Sequence, residues 1–222
     1  MKARTLIDRV DARLAALPTP DTASVRRLRR SLSRELDDAP PKVVRDFAFA
    51  LTERDCGFDR FIAAETIASH QQTFTRLTRN DVLRLGRGMD SWGDVDVFAC
   101  YVGGPAWRIG RVTDAEVLRW ARSDDRWWRR TAVVSTVPLN SRARGGTGDA
   151  PRTLMLSREV VTDRDPMIVK ALSWALRELA KVDAEPVRRF LSTHEAELAP
   201  LVRREVQTKL STGRKAAPRK LP

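Results

Sequence analysis

Two cysteines, Cys56 and Cys100, and two histidines, His70 and His194, are all that the 222-residue chain offers for thiolate or imidazole chemistry. No CxxC pair occurs, so neither a disulfide framework nor a thiolate zinc site organises the fold. Two histidines do not make a multi-histidine metal centre, and the chain is expected to work without a metal or cofactor. No uncharged apolar run approaches the roughly 18 residues of a membrane span. The first 17 residues carry charges throughout and lack a continuous apolar segment. No secretory signal is therefore expected, which points to the cytoplasm and the nucleoid. Strand-type alternation of apolar and polar residues is almost absent.

What the chain has in excess is arginine. Lys and Arg number 41 against 29 Asp and Glu, a net charge of +12, and 34 of the 41 are arginines. The surplus suggests a polyanionic partner, and the planar guanidinium fork suits phosphate better than a point charge does. A solvated, arginine-biased surface is the alternative, and an anionic membrane surface a weaker third. With 42% hydrophobic residues, the chain can build a core and is not expected to be disordered throughout.

Helical periodicity runs through nearly the whole sequence. The pattern predicts helices over 4–17, 22–36, 41 to about 53, 58–69 and 81–86. Another starts at Asp90 or Ser91 and stops at Gly103-Gly104. Thr113, with Glu116 three residues on, starts the next in a capping-box pattern. Further helices are predicted over 124–137, 152–162, 166–181, 184–195 and 198–211. Pro138 and the stretch Asn140 to Pro151, rich in Gly and Arg, form the one clear loop. About a dozen helices joined by short turns suggest stacked helical pairs. The expected fold is all-α, a HEAT-like solenoid with a basic concave groove. Residues 1–211 form one domain in this reading, and 212–222 a disordered basic tail.

Arg26, Arg30 and Arg34 are spaced four apart and line one helix face, with Arg27 beside them. Arg129-Arg130, Arg188-Arg189 and Arg203-Arg204 are adjacent pairs. Neighbours on a helix diverge by about 100°, so at most one of each pair points along a given groove. Trp92 and Asp96 are four apart and share a face, an aromatic wall beside a carboxylate suited to a cationic, electron-poor group. A core Trp and an Asp held by a nearby Arg is the structural alternative. Asp94 lies about 160° from Trp92 and reads as a first-turn acid favoured by the helix dipole. One of Trp127 and Trp128 is expected in the core, and Arg130 can sit on the side of Trp127. In 168–179 the apolar stripe is Ile168, Leu172, Ala175 and Leu179. Trp174 falls off that stripe, as a surface-groove aromatic would.

Trp92-Gly-Asp-Val-Asp96, then Trp127-Trp-Arg-Arg-Thr-Ala132, then Lys170-Ala-Leu-Ser-Trp-Ala-Leu-Arg-Glu178, in that order, resembles the DNA alkylation repair enzyme family of HEAT-like-repeat glycosylases. The likeness covers roughly residues 90–210. It implies removal of N3- and N7-alkylpurines from double-stranded DNA, by a monomer and with no small-molecule cofactor. Trp92 and Trp174 would take the places of the two aromatics that cradle the lesion-bearing deoxyribose. Asp96 would take that of the catalytic carboxylate, and Arg130, ahead of Arg129, that of the phosphate-contacting arginine. Lys170 and Arg177 fall in the matched segment as further DNA contacts. No lysine is matched to a catalytic role, which implies hydrolysis without strand-cleaving lyase chemistry. Asp21 to Leu36 departs from the pattern, being Arg-rich where the family carries an aromatic, glycine-containing segment. The alternatives are a non-catalytic scaffold binding damaged or unusually shaped DNA, and a helical protein-interaction array with incidental charge.

Overall fold

The computed structural model describes residues 3–54 and 57–215. Among them every regular element is helical, in agreement with the all-α expectation. The chain divides into two compact units, Met1–Ala106 and Trp107–Pro222. Each stacks short helices joined by tight turns. None of the described helices is long and apolar enough to cross a membrane.

The first unit contains α1 (Ala3–Ala15), α2 (Thr22–Glu35), α3 (Pro41–Arg54), α4 (Asp59–Ser69), α5 (Gln71–Phe74), α6 (Arg79–Leu85) and α7 (Trp92–Phe98). Helix α4 is its centre, packing on α2, α3 and α7. Ile62, Ala63, Ala64 and Ile67 are buried, and so are Asp59, Arg60 and Glu65. Burying charge is costly unless it is paired. Glu65 is accordingly clasped by Arg29, Nε 2.9 Å from Oε2, and Arg26, Nε 3.2 Å from Oε1. Arg54 stands 3.0 Å from Asp59 and 2.7 Å from Asp11, joining α3 to α4 and α1.

Two glycines expected to stop the helix after α7 do not. A π-helical turn over Ala99–Gly103 leads directly into α8 (Gly104–Arg108). Pro105 has no N–H to give Tyr101, and the Gly104 N–H instead reaches Ala99 O, five residues back. The stop comes at Gly110, where φ is +76°. Cys100 is buried in the π turn, while Cys56 lies outside the described residues.

The second unit continues through α9 (Asp114–Ala121), α10 (Arg126–Val134), α11 (Val137–Asn140), α12 (Ala150–Glu159), α13 (Pro166–Leu179), α14 (Ala184–Thr193) and α15 (Pro200–Thr212). Thr113 caps α9 as expected, accepting from the Glu116 N–H, and the Glu116 carboxylate pairs with Arg119. Helix α13 is the centre here, packing on α10, α11, α12, α14 and α15. Ile168, Leu172, Ala175 and Leu179 are all buried, as their spacing predicts. Thr212, the first residue of the expected tail, closes α15; residues 216–222 lie outside the described ones.

Asp59 supplies a test of this packing. It is 1% exposed, and neither carboxylate oxygen accepts a hydrogen bond from a described residue. Burial pushes its carboxyl from 3.8 up to about 6, against the pull of Arg54 and with help from Asp11. The folded state therefore holds this proton more tightly than the unfolded chain. The group's contribution is fully present below pH about 4 and is lost as the pH rises through about 6. Asp59→Asn should be more stable than the wild type at pH 7.5, by up to about 2–3 kcal/mol. Denaturant titrations across this range should show that advantage vanishing below pH about 4.

Candidate nucleic-acid interface

With its apolar stripe turned inward, α13 presents Lys170, Trp174 and Arg177 on another face, at spacings of four and three residues. These side chains line an open cleft of about 360 Å³ with Arg130 from α10, Leu201 and Glu205 from α15, and Lys215 beyond it. Four cations thus surround one carboxylate, beside an aromatic plane.

Hydrogen bonds fix the cleft walls. Arg130 is mostly buried, and its Nη1 donates to the Met167 carbonyl at 2.6 Å, tying α10 to the first turn of α13. Ser173 Oγ donates to Glu205 Oε2 at 2.6 Å and accepts from Arg177 Nε at 3.2 Å. Arg177 Nε and Lys215 Nζ stand 3.6 and 3.9 Å from the same carboxylate. Burial draws the Arg177 guanidinium down from its ordinary value, opposed by Glu205 and Glu178. Lys170 is exposed with no carboxylate partner among the described residues, and Trp174 is half-buried.

Arg129 points away from this cleft. Its Nε donates to Asp163 Oδ2 at 3.0 Å, and its Nη1 to the carbonyls of Ser123 and Asp124 at 3.0 and 2.9 Å. The rotation of about 100° between neighbours separates the two arginines in this way.

In the first unit Trp92 and Asp96 share α7. Trp92 is 61% exposed, the most exposed large apolar residue among those described, and Asp96 is half-buried. Ser91 caps the helix, accepting from the Asp94 N–H at 3.2 Å and donating to Asp94 Oδ2 at 2.8 Å. Asp94 therefore belongs to the cap, the role its position suggests. The basic face of α2 is divided in use. Arg26 is bound to Glu65 and lies 5.3 Å from the Phe61 ring centre. Arg30 and Arg34 stay exposed without a carboxylate partner among the described residues.

Of the remaining tryptophans, Trp107 and Trp120 are core residues. Trp107 is fully buried, its Nε1 donating to Asp114 Oδ1 at 2.7 Å. Trp120 is buried, with Trp128 against it at 5.2 Å between ring centres. The expectation that Trp127 or Trp128 is a core residue needs correction, because both are half-buried. Helix α10 begins at Arg126, so the pair occupies its exposed first turn and the core contacts come from Thr131 to Val134. Sequence reasoning missed Ser173, Leu201, Glu205 and Lys215. The four-residue spacing of Leu201 and Glu205 was the available signal, but only the partner helix reveals which face it marks.

A family model described as DNA alkylation repair enzyme matches residues 13–210. Comparison with curated proteins gives no match, and comparison with solved structures gives none.

If Trp174 belongs to the cleft rather than the core, the two tryptophan truncations will differ. Trp107→Ala should cost about 3–5 kcal/mol. Trp174→Ala should cost less than half of that. Chemical denaturation of both variants measures the difference, and equal losses would place Trp174 in the core.

Proposed function

The chain belongs to the DNA alkylation repair enzyme family, and on that premise we propose that it hydrolyses the N-glycosidic bond of cationic N3- and N7-alkylpurines in duplex DNA. The observation that carries this reading is the cleft on α13. An aromatic plane among cations suits a deoxyribose flanked by phosphates. In this reading the chain works as a monomer.

In N7-alkylguanine the purine already carries a positive charge. When its bond to C1′ breaks, the bonding electrons leave with the purine, which departs neutral without prior protonation. The sugar becomes oxocarbenium-like. Trp92 and Trp174 hold the deoxyribose through their faces, which favour a cationic group. Asp96 stabilises the developing charge and orients a water toward C1′. The water's oxygen bonds to C1′, its proton is lost, and an abasic sugar remains. No amine attacks C1′, so the strand stays intact. Arg130, Lys170 and Arg177 neutralise phosphates near the lesion. Arg129, paired with Asp163, is held apart from these phosphate contacts. Membership of the family implies that the lesion need not be flipped into a pocket, unlike in most glycosylases. The alternative, a scaffold that binds DNA without cleaving it, has no use for a carboxylate facing phosphate.

Asp96→Asn preserves size and removes charge. Loss of a preorganised electrostatic group costs roughly 10²–10³ in rate. Single-turnover excision of 7-methylguanine should fall by that factor, with DNA affinity kept or slightly raised. Asp94→Asn retains an oxygen for the Ser91 hydroxyl and should excise at nearly the wild-type rate. Wild-type excision by Asp96→Asn would remove the catalytic assignment.

A further inference from the structure

Between Asn140 and Asp149 the chain reads Ser141-Arg-Ala-Arg-Gly-Gly-Thr-Gly148, with two arginines, three glycines and no acid. Such a composition is that of a flexible connection. The structure stitches it down instead. Asn140, 2% exposed, donates through Nδ2 to Thr136 O at 3.0 Å and Thr153 Oγ1 at 2.8 Å, and accepts from the Asp149 N–H at 2.9 Å. The Gly146 N–H reaches Ser141 O at 2.9 Å, and the Gly148 N–H reaches Leu139 O at 3.0 Å. Arg108 donates through Nη1 to Pro138 O at 3.1 Å and Arg144 O at 2.9 Å. Burial lowers the Arg108 guanidinium from its ordinary value, the mark of a cation partly withdrawn from water to hold two carbonyls.

The backbone is packed as closely as its bonds suggest. A Cβ on Gly146 would fall 2.2 Å from Pro138 O and 2.4 Å from Leu139 O, so no other residue fits there. The segment Arg142–Arg144 is a single 3₁₀ turn, closed by the Gly145 N–H on Arg142 O at 3.0 Å. On its outside stands Arg142, exposed and without a carboxylate partner among the described residues. Arg122 and Arg189, also exposed, are paired with Glu159 and Glu185.

A connection between α11 and α12 requires none of this order, but a contact held ready for a partner does. Resting on the DNA reading above, we infer that the 141–147 loop is a preorganised phosphate-binding element whose contact is Arg142. Its guanidinium fork fits phosphate oxygens, and no acid in the loop repels them. A loop ordered beforehand avoids the entropy of ordering on binding. The contact reads backbone rather than sequence, so it acts equally on damaged and undamaged duplex.

The test is affinity for an undamaged duplex across about 50–200 mM salt. Arg142→Ala should weaken binding several-fold and make the log–log salt slope shallower by about 0.9, one phosphate's share. Arg142→Lys should keep most of the slope. Arg189→Ala makes the same charge change at a paired surface site and should leave the slope alone. Equal slopes for wild type and Arg142→Ala, or equal shifts for the Arg142 and Arg189 variants, would overturn the inference while leaving the DNA reading intact. A wild type with no salt-dependent affinity would remove both. Limited trypsin digestion examines the preorganisation: the native chain should resist cleavage after Arg142 and Arg144, and rapid cutting there would contradict it.

Discussion

The rotation of α13 about its own axis is the constraint on which the second unit's surface depends. Burial of Ile168, Leu172, Ala175 and Leu179 admits one rotation; removing each large aliphatic side chain from water is worth about 1.5–3 kcal/mol. Once that stripe is inside, Lys170, Trp174 and Arg177 have one face left. The neighbouring helices are then keyed to α13 by polar bonds, Arg130 to the Met167 carbonyl and Glu205 to Ser173. Core packing and site geometry are thus consequences of the same helix rotation.

The arginine surplus serves two purposes that composition does not separate. Some guanidinium groups are internal staples. Arg26 and Arg29 close on buried Glu65, Arg54 joins Asp11 to Asp59, and Arg129 fastens α10 to Asp163. Others stand unpaired by acid: Arg30 and Arg34 on α2, Lys170 in the cleft and Arg142 on its loop have no carboxylate beside them among the described residues. Staples resist salt because they are partly dehydrated, whereas exposed cations carry the salt-dependent affinity for a polyanion. The net charge therefore overstates the charge available to DNA.

Helix content was legible because the apolar stripes of α2, with Val25, Leu28 and Leu32, and of α13 recur at helical spacing. Most caps were too, since Thr113 and Ser91 precede their helices in the usual way. Helix ends were harder to read. Gly103-Gly104 looks like a stop, yet Pro105 turns it into a π bulge that carries the helix on to Arg108. Trp127 and Trp128 read as one core and one surface residue, yet both are half-buried in the first turn of α10, whose core contacts come from Thr131 to Val134. Arg129 and Arg130 were separable only in principle: helix geometry says that one faces a groove, and the position of Asp163 decides which. Glu205 was invisible as a site residue, because its meaning comes from Ser173 on another helix. The 141–147 loop was misleading for a related reason. Its glycines signal flexibility in the sequence, whereas Gly146 is there because Pro138 and Leu139 carbonyls leave no room for a Cβ.

The central claim is that this chain cuts the glycosidic bond of a cationic purine and stops there. Purified protein incubated with duplex DNA methylated at guanine N7 tests it most directly, with free base quantified and the strand kept under conditions that preserve abasic sites. The account predicts release of 7-methylguanine well above the spontaneous rate, leaving an abasic but unbroken strand. DNA binding with release no faster than the uncatalysed background would contradict it and leave a scaffold that recognises DNA without repairing it.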